Sequence, residues 1–464
     1  MRRPQLRGRP RLHGLHHGRR PVAAGERGRR RPGDGAAGAG VRAGALRGDR
    51  GVRQVIPRPD GGQASSSPPG DWPEPPSPLD PRQAPAPRYG TGSLADVLPA
   101  VLAGLDVPGG RPDFALPPAD RVCVFLVDGL GWEQLHAHAE LAPFLSSLLP
   151  TSRAGAGAPI TVGFPSTTAT SLASLGTGLP PGAHGLAGYR VLDPGSGALM
   201  NQLRWEPWTD PGRWQPHPTL FRRADAAGVA TCQVSAPHFE RTPLTRVALS
   251  GGAFLGRSHV EERIDVAARR LGEAGRTLVY TYYAELDAAG HRFGVDSDAW
   301  REQLALVDGL ARRLAEQLPS RAALYVTGDH GMIDVPVTEE ARFDFDHDWE
   351  LRAGVAQLGG EGRARHLYAV PGAASDVHAV WREVLAEDAW VVTRDEAVEL
   401  GWFGPPGEEV AARVRPRIGD VVVAMTGVAA VIASESEPRE SALIGMHGSL
   451  TPAEQLVPLL EVRT

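Results

Sequence analysis

Lysine is missing altogether, so all 49 basic side chains other than histidine in this 464-residue chain are arginines. With Ala, Gly, Pro and Arg abundant, the absence reflects a GC-rich coding bias. Cysteine is nearly absent too: Cys123 inside an apolar run and Cys232 in GVATCQVSA give neither a disulfide framework nor a ligand-like pair. Both are expected to pack in a core. No run reaches the ~20 apolar residues needed to span a bilayer, and the basic start of the chain is not followed by an apolar h-region. Arg2 and Arg3 resemble a twin-arginine signal only superficially. A cytoplasmic protein without membrane contact is therefore expected. Excess positive charge is lacking as well, since the net charge is −5, and no nucleic-acid partner is expected.

What is present is uneven along the chain. Residues 1 to about 60 are rich in Arg, Gly and Pro with few acids, which leaves the remainder distinctly acidic. Residues 1–92 have too little apolar periodicity to offset the entropy of ordering, and disorder is expected there. An RNA-binding arginine tail would carry aromatics and RGG or RS repeats, which this one lacks, and a start codon assigned too far upstream gives the same composition.

Order is expected from Ser93, where SLADVLPAVLAGL has helical spacing. VCVFLV reads as a parallel strand covered on both faces. Helical WEQLHAHAELAPFLSSLL and TATSLASLGTG come next, then strand-like TLVYTYYAE, the helix DAWREQLALVDGLARRLAEQL and the strand AALYVTG. This alternation predicts an α/β domain with a mainly parallel central sheet flanked by helices, binding its ligands at the carboxyl ends of the strands. Short strands in HLYAVP, AWVVT, DVVVAMTG and AAVIAS predict a smaller inserted α+β subdomain, and TPAEQLVPLLEV predicts a closing amphipathic helix. The expected division is 1–92, 93–335 together with 441–464, and 336–440.

Four segments set metal-binding side chains at the ends of apolar runs: Asp128 in VFLVDGLG, Asp287 and His291 in ELDAAGHRFG, Asp329 and His330 in YVTGDHGM, and His447 in GMHG. Three carboxylates and three imidazoles are a ligand set for two divalent cations. Asp287 and His291 fall on one helical face. Asp329 and His330 are adjacent and would point apart on a strand, but the flanking Gly328 and Gly331 allow a bend that turns both to one centre. In GFPSTTATSLASLGTGLPPGAHG, either Thr167 or Thr168 begins a helix, where free N–H groups favour an anion and an alcohol activated by a cation would serve as nucleophile. His184 in GAHG is expected to support its loop. The cluster Asp344, Asp346, His347 and Asp348 lacks the spacing of a calcium loop and is expected to be solvated.

Across about residues 120–450 the chain resembles the alkaline phosphatase superfamily, and within it the type I phosphodiesterase/nucleotide pyrophosphatase family. PSTTATSLASLGTGLPPGAHG is similar to that family's nucleophile block, ELDAAGHRFG to E-P-D-x-x-G-H-x-x-G, GDHGM to S-D-H-G-M, and GMHG to the late G-x-H-G. The resemblance implies an alkaline phosphatase-like fold. It also implies Thr168 as the nucleophile, chosen by counting from both ends of its block. Two zinc ions are implied, one held by Asp287, His291 and His447, the other by Asp128, Asp329, His330 and the Thr168 oxygen. The implied partner is a small-molecule phosphate ester.

The chain also departs from the family. Tyr189 stands where secreted members carry an Asn that contacts phosphate, so Tyr189 or Arg190 is expected to supply a donor there. Ala169 and Thr170 replace the Phe-Pro that lines the nucleotide slot. A phosphomonoesterase or phosphonate hydrolase on the same metal core, a phosphomutase, and a noncatalytic metal-binding protein are the alternatives. No sequence feature speaks to oligomeric state.

Overall fold

The computed structural model describes residues 77–110 and 114–464. Of the stretch expected to be disordered, residues 1–76 lie outside the described residues. From residue 77 the chain departs from that expectation: Asp80 caps a single turn at Pro81–Gln83, and Tyr89 is buried, donating to the Trp402 carbonyl at 2.9 Å. One buried aromatic anchors a segment whose average composition hides it.

Five parallel strands form the body of the central sheet: β1 (Arg121–Val127), β2 (Ala230–Ser235), β3 (Ala253–Gly256), β4 (Thr277–Tyr283) and β5 (Ala322–Gly328). The C-terminal strand Leu459–Arg463 adds an antiparallel edge, giving the order C-terminal strand, β5, β1, β4, β2, β3. Alternate side chains of β1 feed two cores, Val122, Val124 and Leu126 on one face and Cys123, Phe125 and Val127 on the other. The helices α1 (Leu94–Gly104) and α2 (Thr168–Thr177) pack on the first core, and α3 (Val260–Leu271), α4 (Glu285–Phe293) and α5 (Asp298–Glu316) on the second. This is the mainly parallel α/β architecture the alternating pattern predicts.

Two expected helices take other forms. WEQLHAHAELAPFLSSLL breaks into Trp132–Ala137 and Pro143–Ser147, because Pro143 cannot continue a helix but suits the first position of a new one. TPAEQLVPLLEV makes one turn at Pro452–Gln455 and then pairs with β5 as the C-terminal strand. Pro458 bars a continuous helix, and the open edge of β5 offers backbone partners to Leu459–Arg463.

A second sheet is antiparallel, with β6 (Val355–Glu361), β7 (Ala364–Ala369), β8 (Ala389–Thr393) and β9 (Val421–Met425) in the order β6, β7, β9, β8. The helix α6 (Ala374–Leu385) buries Val377, Trp381 and Leu385 in its core. The AAVIAS strand is not part of that sheet, since Ala430–Ile432 pairs with Arg342–Asp344. Two buried ion pairs tie β7 and its approach to flanking segments, Arg363 with Glu454 at 2.6 Å and Arg365 with Glu437 at 2.8 Å. The guanidinium of Arg363 also donates to the Thr426 and Met425 carbonyls, so its charge is matched on every side.

Candidate metal centre and active site

Strand register brings the acidic groups together. Val127 pairs with Tyr283 on one side and with Gly328 on the other, so β1, β4 and β5 end level and Asp128 and Asp329 emerge side by side. Asp287 lies in the first turn of α4, with His291 one turn on. Gly328 and Gly331 do matter here, although neither takes a positive φ. A Cβ on Gly328 would lie 2.2 Å from the Leu130 carbonyl oxygen, and one on Gly331 would lie 2.0 Å from that of Ala453. Close approach of backbones, rather than left-handed geometry, requires glycine at both.

His447 arrives from far along the chain. The short strand Gly445–Met446 pairs with Ile333–Asp334, just beyond His330, and sets His447 against both His330 and His291. The ring centroids of His330 and His447 stack at 3.6 Å.

Each imidazole is held through the same atom. His291 Nδ1 donates to the Gly445 carbonyl at 2.8 Å, His330 Nδ1 to that of Gly331 at 3.0 Å, and His447 Nδ1 to that of Ser166 at 2.9 Å. With Nδ1 committed, every Nε2 is left for a proton or a cation. His447 Nε2 and His291 Nε2 face each other at 3.3 Å, and His291 Nε2 lies 3.4 Å from Asp287 Oδ1. His330 Nε2 lies 3.3 Å from Asp128 Oδ1 and 3.8 Å from Asp329 Oδ2.

Two groups thus form among the described residues, Asp287 with His291 and His447, and Asp128 with Asp329 and His330. Within each, the ligand atoms lie within 4.8 Å of one another. The donor set fits divalent cations. Asp128 Oδ1, Asp287 Oδ1 and Asp329 Oδ2 are buried with no hydrogen-bond donor, a costly state for a carboxylate unless a cation sits between them. Burial, and then the charge of Asp128, push the carboxyls of Asp287 and Asp329 well above their ordinary range. Burial opposes charge on His330, yet Asp329 and Asp128 outweigh it and raise the imidazole well above 6.5. Burial holds His291 and His447 below it. The carboxylates around His330 thus favour positive charge at this point.

Tyr282, next to the end of β4, donates its hydroxyl to Asp128 Oδ2 and fixes that carboxylate's orientation. Replacing it with Phe should weaken metal affinity about 10–100-fold, as loss of a group that orients a ligand does. Titrating activity against buffered zinc checks this, and an unshifted midpoint would count against the role.

Thr168 opens α2 and is half-buried, with Oγ1 3.3 Å from His330 Nε2. Thr167 is buried and its Oγ1 faces Glu361 Oε2 at 3.4 Å. No side chain caps the helix, so its first N–H groups remain available to an anion.

A cavity of 440 Å³ adjoins this centre and includes Asp128, Thr168, Asp287, His291 and His447 in its wall. Tyr189 also lines it, with its hydroxyl donating to Glu440 at 3.1 Å. Arg190 is engaged elsewhere, paired with Glu437. His184 is buried and bonded to Ser174 and to the Leu186 amide, a structural role. Asp346 accepts from the Glu435 and Ser436 amides, and Asp348 caps Trp349–Arg352, which accounts for much of that acidic cluster without a cation.

Three wall residues have no signal in the sequence motifs. Glu361 comes from the end of β6, 14% exposed, with Oε1 unpartnered and its carboxyl pushed by burial up to about 8. Arg204 and Arg439 also line the cavity, and neither forms an ion pair with any described residue. They lie in loops of ordinary composition, where only the folded arrangement reveals them.

A sequence model of the type I phosphodiesterase/nucleotide pyrophosphatase family matches residues 122–450. Among solved structures the chain is similar to murine ectonucleotide pyrophosphatase/phosphodiesterase 5, at 18% identity and a TM-score of 0.57 over 74% of this chain and 88% of that one. An inactive threonine-to-alanine form of the murine protein in complex with AMP matches at 18% identity and 0.55, over 73% and 87%. Phosphonoacetate hydrolase from Sinorhizobium meliloti 1021, in complex with phosphonoformate, matches at 20% and 0.57, over 77% and 92%.

Proposed function

Because the chain belongs to the type I phosphodiesterase/nucleotide pyrophosphatase family of the alkaline phosphatase superfamily, we propose that it hydrolyses small-molecule phosphate esters through Thr168 at a centre for two divalent cations, in the first instance zinc. The observation that carries this reading is the convergence of three Nδ1-anchored imidazoles and three unpartnered carboxylate oxygens beside the Thr168 hydroxyl. Asp287, His291 and His447 would hold one ion, and Asp128, Asp329, His330 and the Thr168 oxygen the other. Bound there, such ions supply Lewis acidity toward phosphoryl oxygens and lower the pKa of a coordinated alcohol.

The chain's own groups then have distinct tasks. Thr168 passes its hydroxyl proton to a water as Oγ1 attacks phosphorus, the bond from phosphorus to the ester oxygen breaks, and that water returns a proton to the departing alkoxide. A second water adds its hydroxyl to phosphorus as the bond from phosphorus to Oγ1 breaks, and its proton returns to Oγ1, releasing phosphate from a monoester or the monoester from a diester. The amides at the start of α2 hold the anion in place, and Arg204 and Arg439, which form no ion pair with any described residue, add positive charge to the cavity wall. The inactive threonine-to-alanine relative supports a threonine in this role. Nucleotides are not favoured over other esters, since Tyr189 stands in place of the family's phosphate-contacting Asn. A cytoplasmic setting suits Cys123 and Cys232, both buried and unpaired.

Zinc-loaded protein should turn over bis(4-nitrophenyl) phosphate, monitored by release of 4-nitrophenol, with 4-nitrophenyl phosphate as the monoester comparison. No turnover of either ester would overturn the assignment.

A further inference from the structure

The cavity beside Thr168 is far more apolar than a phosphate needs. Beyond the metal-ligand side chains it runs along the sheet face, from Tyr282 at the end of β4 to Tyr280, two residues or about 7 Å deeper. Gln233 pairs with Tyr280 on one side and with Phe254 on the other, so these three form one row across β4, β2 and β3. Leu172 of α2, with Leu244 and Leu249 from the segment before β3, also lines the cavity. Tyr280, only 1% exposed, closes this wall with its hydroxyl buried out of reach of the cavity.

Resting on the hydrolase reading above, we infer that the substrate is the phosphate ester of an apolar alcohol, whose hydrocarbon body enters the chamber of Leu172, Leu244, Leu249, Phe254 and Tyr280. The phosphoryl group stays at the Thr168 end, where the charged groups are, and the hydrocarbon displaces water from a wall that holds it poorly. Selection then comes from chain length, since the metal-binding groups meet only the phosphoryl end.

Binding of methyl-, butyl- and hexylphosphonate to zinc-loaded protein, measured by calorimetry, tests this without turnover. Each methylene that enters the chamber should tighten Kd about fourfold, from about 0.8 kcal/mol per buried methylene. Leu249→Trp, which fills the chamber, should flatten the length dependence. Equal affinities across the wild-type series, or no binding by any member, would overturn the inference whatever the variant does. Turnover of bis(4-nitrophenyl) phosphate alongside such a flat series would leave the hydrolase reading standing, and absence of turnover beside a steep series would do the reverse.

Discussion

Thr168→Ala is expected to lower turnover of bis(4-nitrophenyl) phosphate by at least about 10³-fold while leaving bound zinc close to the wild-type amount. The two readouts separate because Thr168 would add only one oxygen to its cation, whereas Asp128, Asp329 and His330 form that group without it. Thr168 is half-buried and opens on the cavity, so losing its hydroxyl leaves no unfilled core. Thr167→Ala is the control with the opposite expectation. Its hydroxyl faces Glu361 instead of the imidazole, and its removal should cost less than about tenfold. Thr168→Ser, which keeps an oxygen at the same place, should recover much of the lost rate. Near wild-type turnover in Thr168→Ala, with zinc content measured on the same sample, would remove the threonine from the mechanism.

The six candidate metal ligands are legible in the sequence because most of them are local to a pattern. An acid directly after a buried strand, as at Asp128 and Asp329, or a D-x3-H pair on one helical face, as at Asp287 and His291, needs no knowledge of distant contacts. Glu361 is the contrary case. It ends β6 in a glycine-rich hairpin, and it meets Thr167 across a separation of 194 residues that only the folded chain closes. Tyr280 and Tyr282 were hidden for another reason: TLVYTYY reads throughout as buried strand, and which alternate face meets a cavity is decided by how helices cover the sheet. The last helix was misread because its apolar spacing suits both periods over so few residues. Tertiary pairing with β5 decided it in favour of a strand. The glycines of GDHGM suggest a bend in sequence, whereas the close backbone approach that requires them leaves no trace in a local pattern.

Asp287→Asn should change thermal stability in opposite directions with and without metal. In the metal-free protein the buried carboxyl of Asp287 is pushed above its ordinary 3.8 by burial and by the charge of Asp128, so it binds its proton more tightly folded than unfolded. Such a group favours folding below its unfolded value, and that contribution is lost as the pH rises through the raised folded value. Near neutrality its ionisation therefore works against the metal-free fold, and an amide of the same shape relieves it. Chelated Asp287→Asn should melt above chelated wild type. Adding zinc should reverse the order. At a free concentration a thousandfold above Kd, binding stabilises the folded state by about 4 kcal/mol per site, and the variant loses most of this at the site shared with His291 and His447. Melting curves of both proteins in chelator and in buffered zinc check the crossing. Parallel shifts in the two proteins would mean that Asp287 does not hold a cation, and a chelated variant less stable than chelated wild type would mean that its carboxylate is already satisfied within the chain.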